Sequence, residues 1–476
     1  MLSRLFGRKD ATTGRTTQRR VVRLRMESLE AREVPAVYFW NPEIQSIPDP
    51  LPGEDEEVLN PFARVAYNWV NDAGERYDEP PGTDDDLVFT NLPYNDSHPN
   101  FPTSTCRITS ASPSSFQSIT ILAGYGGPVS IERVLTVGTF VQRGGYVAQV
   151  GGGLDFYVTN AFTFTGGTLN STSTLGTVHL QGATGTINLN GSAVELGSTL
   201  NVEARNGIGS YVELEPGTLS LANAAWIVVN SLCQFKLPER PGQPQVVIQP
   251  KQGTEPGVFH PKGANSVAVL DQGLNQKIGL KIENQAKLTV LKSMTVSGFS
   301  QSQLPGELPP ANIGILDATF VIKNGVAVTA NVAMSGGFFY TILIENAPIG
   351  VDQRVVINGK LAFYDGWLEL GYGSTGDPRN CTLEVTGSVS LLGGRFVPRL
   401  NGQNQVMNDT ITAKTMKTSA NFRVEPSVID PPQGGVAGKK WQVLSVSDAF
   451  VGNDVPTLSQ GWLASRVGKK FYVEKS

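Results

Sequence analysis

The sequence predicts an all-β protein, a right-handed single-stranded parallel β-helix (β-solenoid) with a cap at each end. Three observations predict it: a spaced motif that returns along the chain, alternation of apolar and polar residues between its returns, and no apolar 3.6-residue period of helix length.

The motif is a small or turn-forming residue, an apolar residue two later, Gly-Gly or Asp-Gly four beyond that, and then another apolar residue. Its copies are Gly138-x-Phe140 to Gly144-Gly145-x-Val147, Asn160-x-Phe162 to Gly166-Gly167-x-Leu169, Ala330-x-Val332 to Gly336-Gly337-x-Phe339, Gly359-x-Leu361 to Asp365-Gly366-x-Leu368, and Gly387-x-Val389 to Gly393-Gly394-x-Phe396. Copies that follow one another start 22, 29 and 28 residues apart. Alternation such as Leu361-Ala362-Phe363 is the period of a strand with one buried face. The glycines supply backbone angles with φ > 0 that other residues adopt only at a cost, so each copy reads as strand, tight corner, strand. One such unit cannot bury its apolar face alone, and stacking on its neighbours buries it. A β-sandwich or barrel shares the alternation and the turns; the periodic glycine corner favours the solenoid.

Composition agrees. Gly 52 and Pro 30 among 476 residues argue against a helical protein. The formal charge is −4, and the first 25 residues carry eight Arg or Lys against one Asp, which leaves the remaining chain near −11. An acidic body offers no basic face for nucleic acid, and only the tail could touch phosphate. Cys106, Cys233 and Cys381 lie far apart without a CxxC pair, so they read as small buried hydrophobes, neither a zinc site nor a disulfide framework. No transmembrane segment is expected.

Residues 1–36 read as a basic export or targeting segment that does not join the fold. A standard secretory signal would place an apolar run after the charges, and none precedes Val34. The segment closes on Leu24-Arg25 and Leu29-Glu30-x-Arg32-x-x-Pro35-Ala36. This ending resembles the N-terminal segment of many large exported surface proteins of planctomycete bacteria. The resemblance implies export to the cell surface or beyond, with the segment serving as an address.

Residues 37–105 are expected to form an N-terminal cap with loops. Asn68-Trp69, Pro80-Pro81-Gly82 and Asp84-Asp85-Asp86 before Leu87-Val88-Phe89 resemble the opening module of secreted bacterial β-solenoids. Asp84, Asp85 and Asp86 are candidate calcium ligands, because hard cations take clustered carboxylates. The strand that follows directly favours a polar turn instead.

Residues 106–425 are expected to be the coils, with proline-rich excursions near 238–263 and 303–312 that interrupt the ladder. Val194-Glu195-Leu196 is echoed by Val212-Glu213-Leu214-Glu215. On successive coils these glutamates would stack ~4.8 Å apart, and paired acids serve glycosidases and metal-dependent lyases. Glu195, Glu213 and Glu215 are therefore candidate catalytic acids, set against an ordinary solvent-facing ladder with no basic residue at a matching offset. Residues 426–476, with Trp441 to Val446, Trp462 and Phe471-Tyr472-Val473, resemble the closing segment of such solenoids and are expected to be the C-terminal cap.

Other catalytic signals fail. His98, His179 and His260 are too scattered for a metal cluster, and His179 reads as an ordinary strand residue. Nucleophile-elbow, HExxH and Walker A motifs are absent. Gly371 to Gly376 fits GxGxxG but leads to a strand, and a dinucleotide site needs a helix there, so no cofactor is implied. Tyr125, Tyr146, Tyr157, Tyr340, Tyr364, Trp367 and Tyr372 could line a sugar-binding face, although stacking between coils accounts for most of them. The expectation is an exported noncatalytic surface protein, structural or adhesive, with polysaccharide or other envelope components as partners. A polysaccharide-processing lyase or glycoside hydrolase on the same fold is the alternative.

Overall fold

The alternation of apolar and polar residues resolves into a three-sided coil. In one turn, residues 161–164 lie on a first face, 168–171 on a second and Thr177–Gln181 on a third, after which Thr184–Ile187 returns to the first face beside 161–164. The strands of the coil then pair in parallel with their counterparts one turn on, which joins the three faces into one 37-stranded hydrogen-bonded sheet. The computed structural model describes residues 35–40, 44–45, 58–59, 68–90, 105–150, 155–171, 177–187, 193–196, 199–221, 225–243, 245–250, 258–300, 311–343, 353–371, 380–405, 408–429, 431, 435–452 and 454–476. Among these there is no α-helix, and none is long and apolar enough to cross a membrane.

The inward ladder of face 1 can be followed from Tyr38 through Leu87, Ile119, Phe140 and Phe162. It continues through Gly185, Val212, Phe235, Ala268, Leu288, Phe320, Phe339, Leu368, Phe396 and Val424 to Leu458. Its apolar side chains are buried as far as Val424. Small residues follow large ones, Gly185 after Phe162 and Ala268 after Phe235, so stacked rungs of unequal volume fill the interior. Each fully buried Phe, Leu or Val contributes about 1.5–3 kcal/mol relative to exposure.

The glycine corners hold as expected. Gly145, Gly167, Gly337, Gly366 and Gly394, the second residue of each pair, all have positive φ. They also stack: a Cβ on Gly394 would stand 2.6 Å from the Gly366 carbonyl oxygen, and one on Gly366 2.7 Å from that of Gly337. The five copies nevertheless occupy two different corners. The first two turn the chain from face 1 to face 2, between Phe140 and Val147 and between Phe162 and Leu169. The last three turn it from face 3 to face 1, as between Val332 and Phe339. Any corner that needs left-handed backbone and close stacking selects the same glycine pair.

Both ends leave the parallel pattern. Val37–Trp40 pairs in parallel with Asp86–Phe89 and antiparallel with Trp69–Val70, and Trp40, Trp69 and Phe89 pack there. At the other end Lys470–Lys475 runs antiparallel to Lys440–Val451 and to Trp462–Val467. Trp441 is buried there and donates its indole N–H to the Asn401 carbonyl at 3.0 Å. These antiparallel strands cover edges that would otherwise pair with another chain. Parallel coiling starts at Val37 and runs to Thr457–Leu458, so the stack extends into both regions expected to be caps.

The proline-rich region near 238–263 corrects an expectation. It supplies Val246–Pro250 on face 2 and Val258–Pro261 on face 3, both in register with the turn before. Pro250 and Pro261 end their strands, where a missing N–H costs least. Of the second excursion, 303–310 lies outside the described residues, whereas Asn312 is in the coil and bonds to the carbonyls of Ser297 and Gly298. The three cysteines are buried and free, and burial pushes the Cys381 thiol up to about 12, with the Asp409 charge adding.

Candidate functional site

The corner between faces 3 and 1 opens into a groove of about 570 Å³ over the turns that carry the last three motif copies. Its origin lies in the glycines. Gly337, Gly366 and Gly394 stack without side chains and form a floor, and the residues on either side rise as walls.

One wall is the outward side of face 1. Thr319, Phe338, Trp367, Arg395 and Arg423 are successive rungs of one ladder. Phe338 and Trp367 lie 5.8 Å apart between ring centroids, and Phe338 stacks on Tyr340 at 5.4 Å. The Arg395 guanidinium lies 3.2 Å from the centroid of the Trp367 ring and 3.2 Å from a Glu425 carboxylate oxygen. The pair fixes the guanidinium flat against the indole. Phe338 remains 37% exposed, so its ring presents apolar surface within the groove.

The other wall stands on the corner itself. Asp317 and Asp365 flank Gly336, whose N–H donates to the Asp365 carbonyl at 3.1 Å. The register that sets Trp367, Arg395 and Arg423 side by side carries the series on through Gly393 to Asn421. Asp317, Asp365 and Asn421 are exposed, and Asp317 holds a left-handed φ of 46° that few non-glycine residues adopt. Carboxylates here accept hydrogen bonds, the guanidinium donates them and the rings offer apolar faces. Beyond Trp367 on the same side of its strand, Glu369 is half-buried; desolvation raises its pKa, with Arg399 opposing and Asp409 adding.

The candidate glutamates do not come together. Glu195 pairs in register with Thr168 and Ser220 on face 2, and Glu213 with Thr186 and Lys236 on face 1. The echo between the two segments joins two faces of the coil, so these residues are not stacked. Basic partners also exist: Lys236 neighbours Glu213, and Arg240 bonds Glu215 at 2.9 Å. Tyr211 donates its hydroxyl to Glu213, and burial, with that bond and charge, raises the tyrosine to about 12.

Two of the three aspartates make structural hydrogen bonds. Asp85 accepts from the Ala36 N–H at 3.0 Å and the Gly82 N–H at 2.7 Å, and Asp86 accepts from the Ser118 hydroxyl at 2.5 Å. Asp84 is exposed. Among the described residues no group of three His, Cys, Asp or Glu side chains is arranged to hold a metal ion.

Two histidines form paired clusters on the outward side of face 3, along the ladder His179, Asn201, Val228, His260. His179 Nδ1 lies 3.0 Å from Glu203 and Nε2 3.4 Å from Asp155, while Tyr157 stacks on the ring at 4.6 Å. Desolvation lowers its pKa, but the bond and charge of Glu203, and then of Asp155, outweigh that and raise it. His260 sits on a strand, where a loop was expected, with Nε2 2.8 Å from Glu283. There desolvation prevails over Glu283, helped by Lys281 and Lys262, and the pKa is lowered. His98 and most of the GxGxxG stretch, 372–376, lie outside the described residues; the strand expected after it is Cys381–Leu391.

Among the aromatics singled out in the sequence, Tyr125 is in the core and Tyr157 stacks on His179, whereas Tyr340 and Trp367 face outward by the groove. Phe338, Asp317, Arg395 and Arg423 escape the motif analysis, and Asp365 enters it only as a corner residue. The signal was the variable position after each glycine pair, which reads Phe338, Trp367 and Arg395 in the last three copies. No protein-family model matches this chain, and no curated protein matches it significantly.

Proposed function

We propose that the protein is an exported, noncatalytic surface protein whose β-solenoid binds polysaccharide through the groove between Asp317 and Glu425. The observation that carries this reading is the pairing of walls: carboxylates and Asn421 on one side, the Phe338–Trp367–Arg395 stack on the other, over a glycine floor. A sugar ring presents hydroxyls at its edge and C–H groups on its face, and each wall suits one of them. Export rests on the resemblance of the segment ending in Leu29-Glu30-x-Arg32-x-x-Pro35-Ala36.

One observation favours a processing enzyme as the second reading. Asp365 lines the groove, Glu369 lies beyond Trp367 on the same side of its strand, and burial raises the pKa of Glu369, the direction that suits a general acid. A glycan array read for both retention and product release separates the two. Retention without products, abolished by Trp367→Ala, supports the binding protein; new reducing ends or unsaturated products, lost in Glu369→Gln, support the enzyme. Absence of both across the array contradicts both.

A further inference from the structure

The groove repeats with a period of two turns. Its corner positions read Asp317, Gly336, Asp365, Gly393, Asn421, so an exposed polar side chain alternates with a glycine that carries none along five successive turns. Parallel strands are ~4.8 Å apart, so the polar groups recur every ~9.6 Å and the groove runs for roughly 19 Å. The opposite wall presents a side chain on every turn: Thr319, Phe338, Trp367, Arg395 and Arg423.

Resting on the polysaccharide reading above, we infer that the groove takes a single linear glycan in an extended two-fold ribbon along the solenoid axis, one sugar ring per turn. In such a ribbon successive rings are flipped by half a turn, so the same hydroxyl edge faces the same side only at every second ring. Asp317, Asp365 and Asn421 then meet equivalent edges, and Gly336, which lines the groove, leaves room for the bulkier edge between the first two. The unbroken wall meets every ring. Equatorially β-1,4-linked pyranose chains adopt this shape with a ring repeat close to the strand spacing. α-1,4-linked chains coil away from a straight groove and would leave it after a ring or two.

Glucose oligomers isolate shape from composition. Calorimetric titration of the full chain with cello-oligosaccharides and malto-oligosaccharides of two to six rings, alongside chito-oligosaccharides, tests the inference. β-Linked affinity should climb with length to a plateau at four to five rings and exceed the α-linked series of the same length at least tenfold. Asn421→Trp, a change on the exposed rim at one end, should move the plateau one ring shorter and leave thermal stability unchanged. Equal affinity for α- and β-linked glucose chains, or no gain beyond two rings, overturns the ribbon while leaving polysaccharide binding in place. The same holds if immobilised polysaccharides retain the protein but only α-linked ones do. Retention by no oligosaccharide or polysaccharide overturns the binding reading and the ribbon together.

Discussion

The outward ladder of face 1 changes character along the molecule. In early turns it carries Ser118, Thr139, Ala161 and Thr184; in late turns it carries Phe338, Trp367, Arg395 and Arg423. The inward ladder beneath does not change in kind, from Ile119, Phe140 and Phe162 to Phe339, Leu368 and Phe396. The two regions share a backbone and an interior, so the outward difference is not demanded by folding. Stability lies in the inward residues, and the proposed glycan recognition rests on outward ones that packing leaves free to vary.

Neighbouring residues give the sharpest test of that division. Phe339 is fully buried against Phe320, and Phe339→Ala should cost about 3–5 kcal/mol in urea unfolding. Phe338→Ala, one residue earlier, should cost under about 1 kcal/mol and weaken glycan binding instead. Equal stability losses for the two would break the comparison. Gly394→Ala comes next. Its φ of 76° and the Gly366 carbonyl at 2.6 Å from the new Cβ predict a loss of more than about 2 kcal/mol and a distorted floor. Trp367→Ala should leave the fold intact and lower glycan affinity about tenfold or more, equivalent to about 1.4 kcal/mol, as measured by calorimetry.

The smallest effects belong to the histidines of face 3, which make an internal comparison of opposite sign. The folded pKa of His179 is raised, so its contribution is full below the ~6.5 of free imidazole and is lost as pH rises through the folded value. The folded pKa of His260 is lowered, so its contribution is full above ~6.5 and is lost as pH falls through the folded value. His179→Gln should therefore cost more in mild acid and His260→Gln more in mild alkali. Parallel pH profiles of unfolding for the two variants would contradict the assignment.

Much of the fold was legible because a two-residue period has one physical cause. Residues such as Leu361 and Phe363 alternate since one side of every strand is buried, and the solenoid follows from stacking that side. The number of faces was not legible. Gly144-Gly145 and Gly393-Gly394 look alike because both need left-handed backbone under a stacked neighbour, yet they sit on different corners. The same ambiguity made Glu195 and Glu213 look stacked when they lie on separate faces. Pro250 and Pro261 looked like ladder breakers because sequence does not reveal that they end their strands. The groove was hidden for a related reason. It is made by residues that are near neighbours only across turns, Asp317, Asp365 and Arg423, at intervals set by loop lengths.

Hydroxyl-radical footprinting of the full chain, with and without a β-linked glycan that it retains, measures the central claim most directly. The account predicts that the glycan lowers oxidation of Phe338, Tyr340 and Trp367 and leaves Tyr146, Tyr157 and Tyr211 unchanged. Protection spread evenly over the aromatic residues, or confined to the early turns, would contradict it.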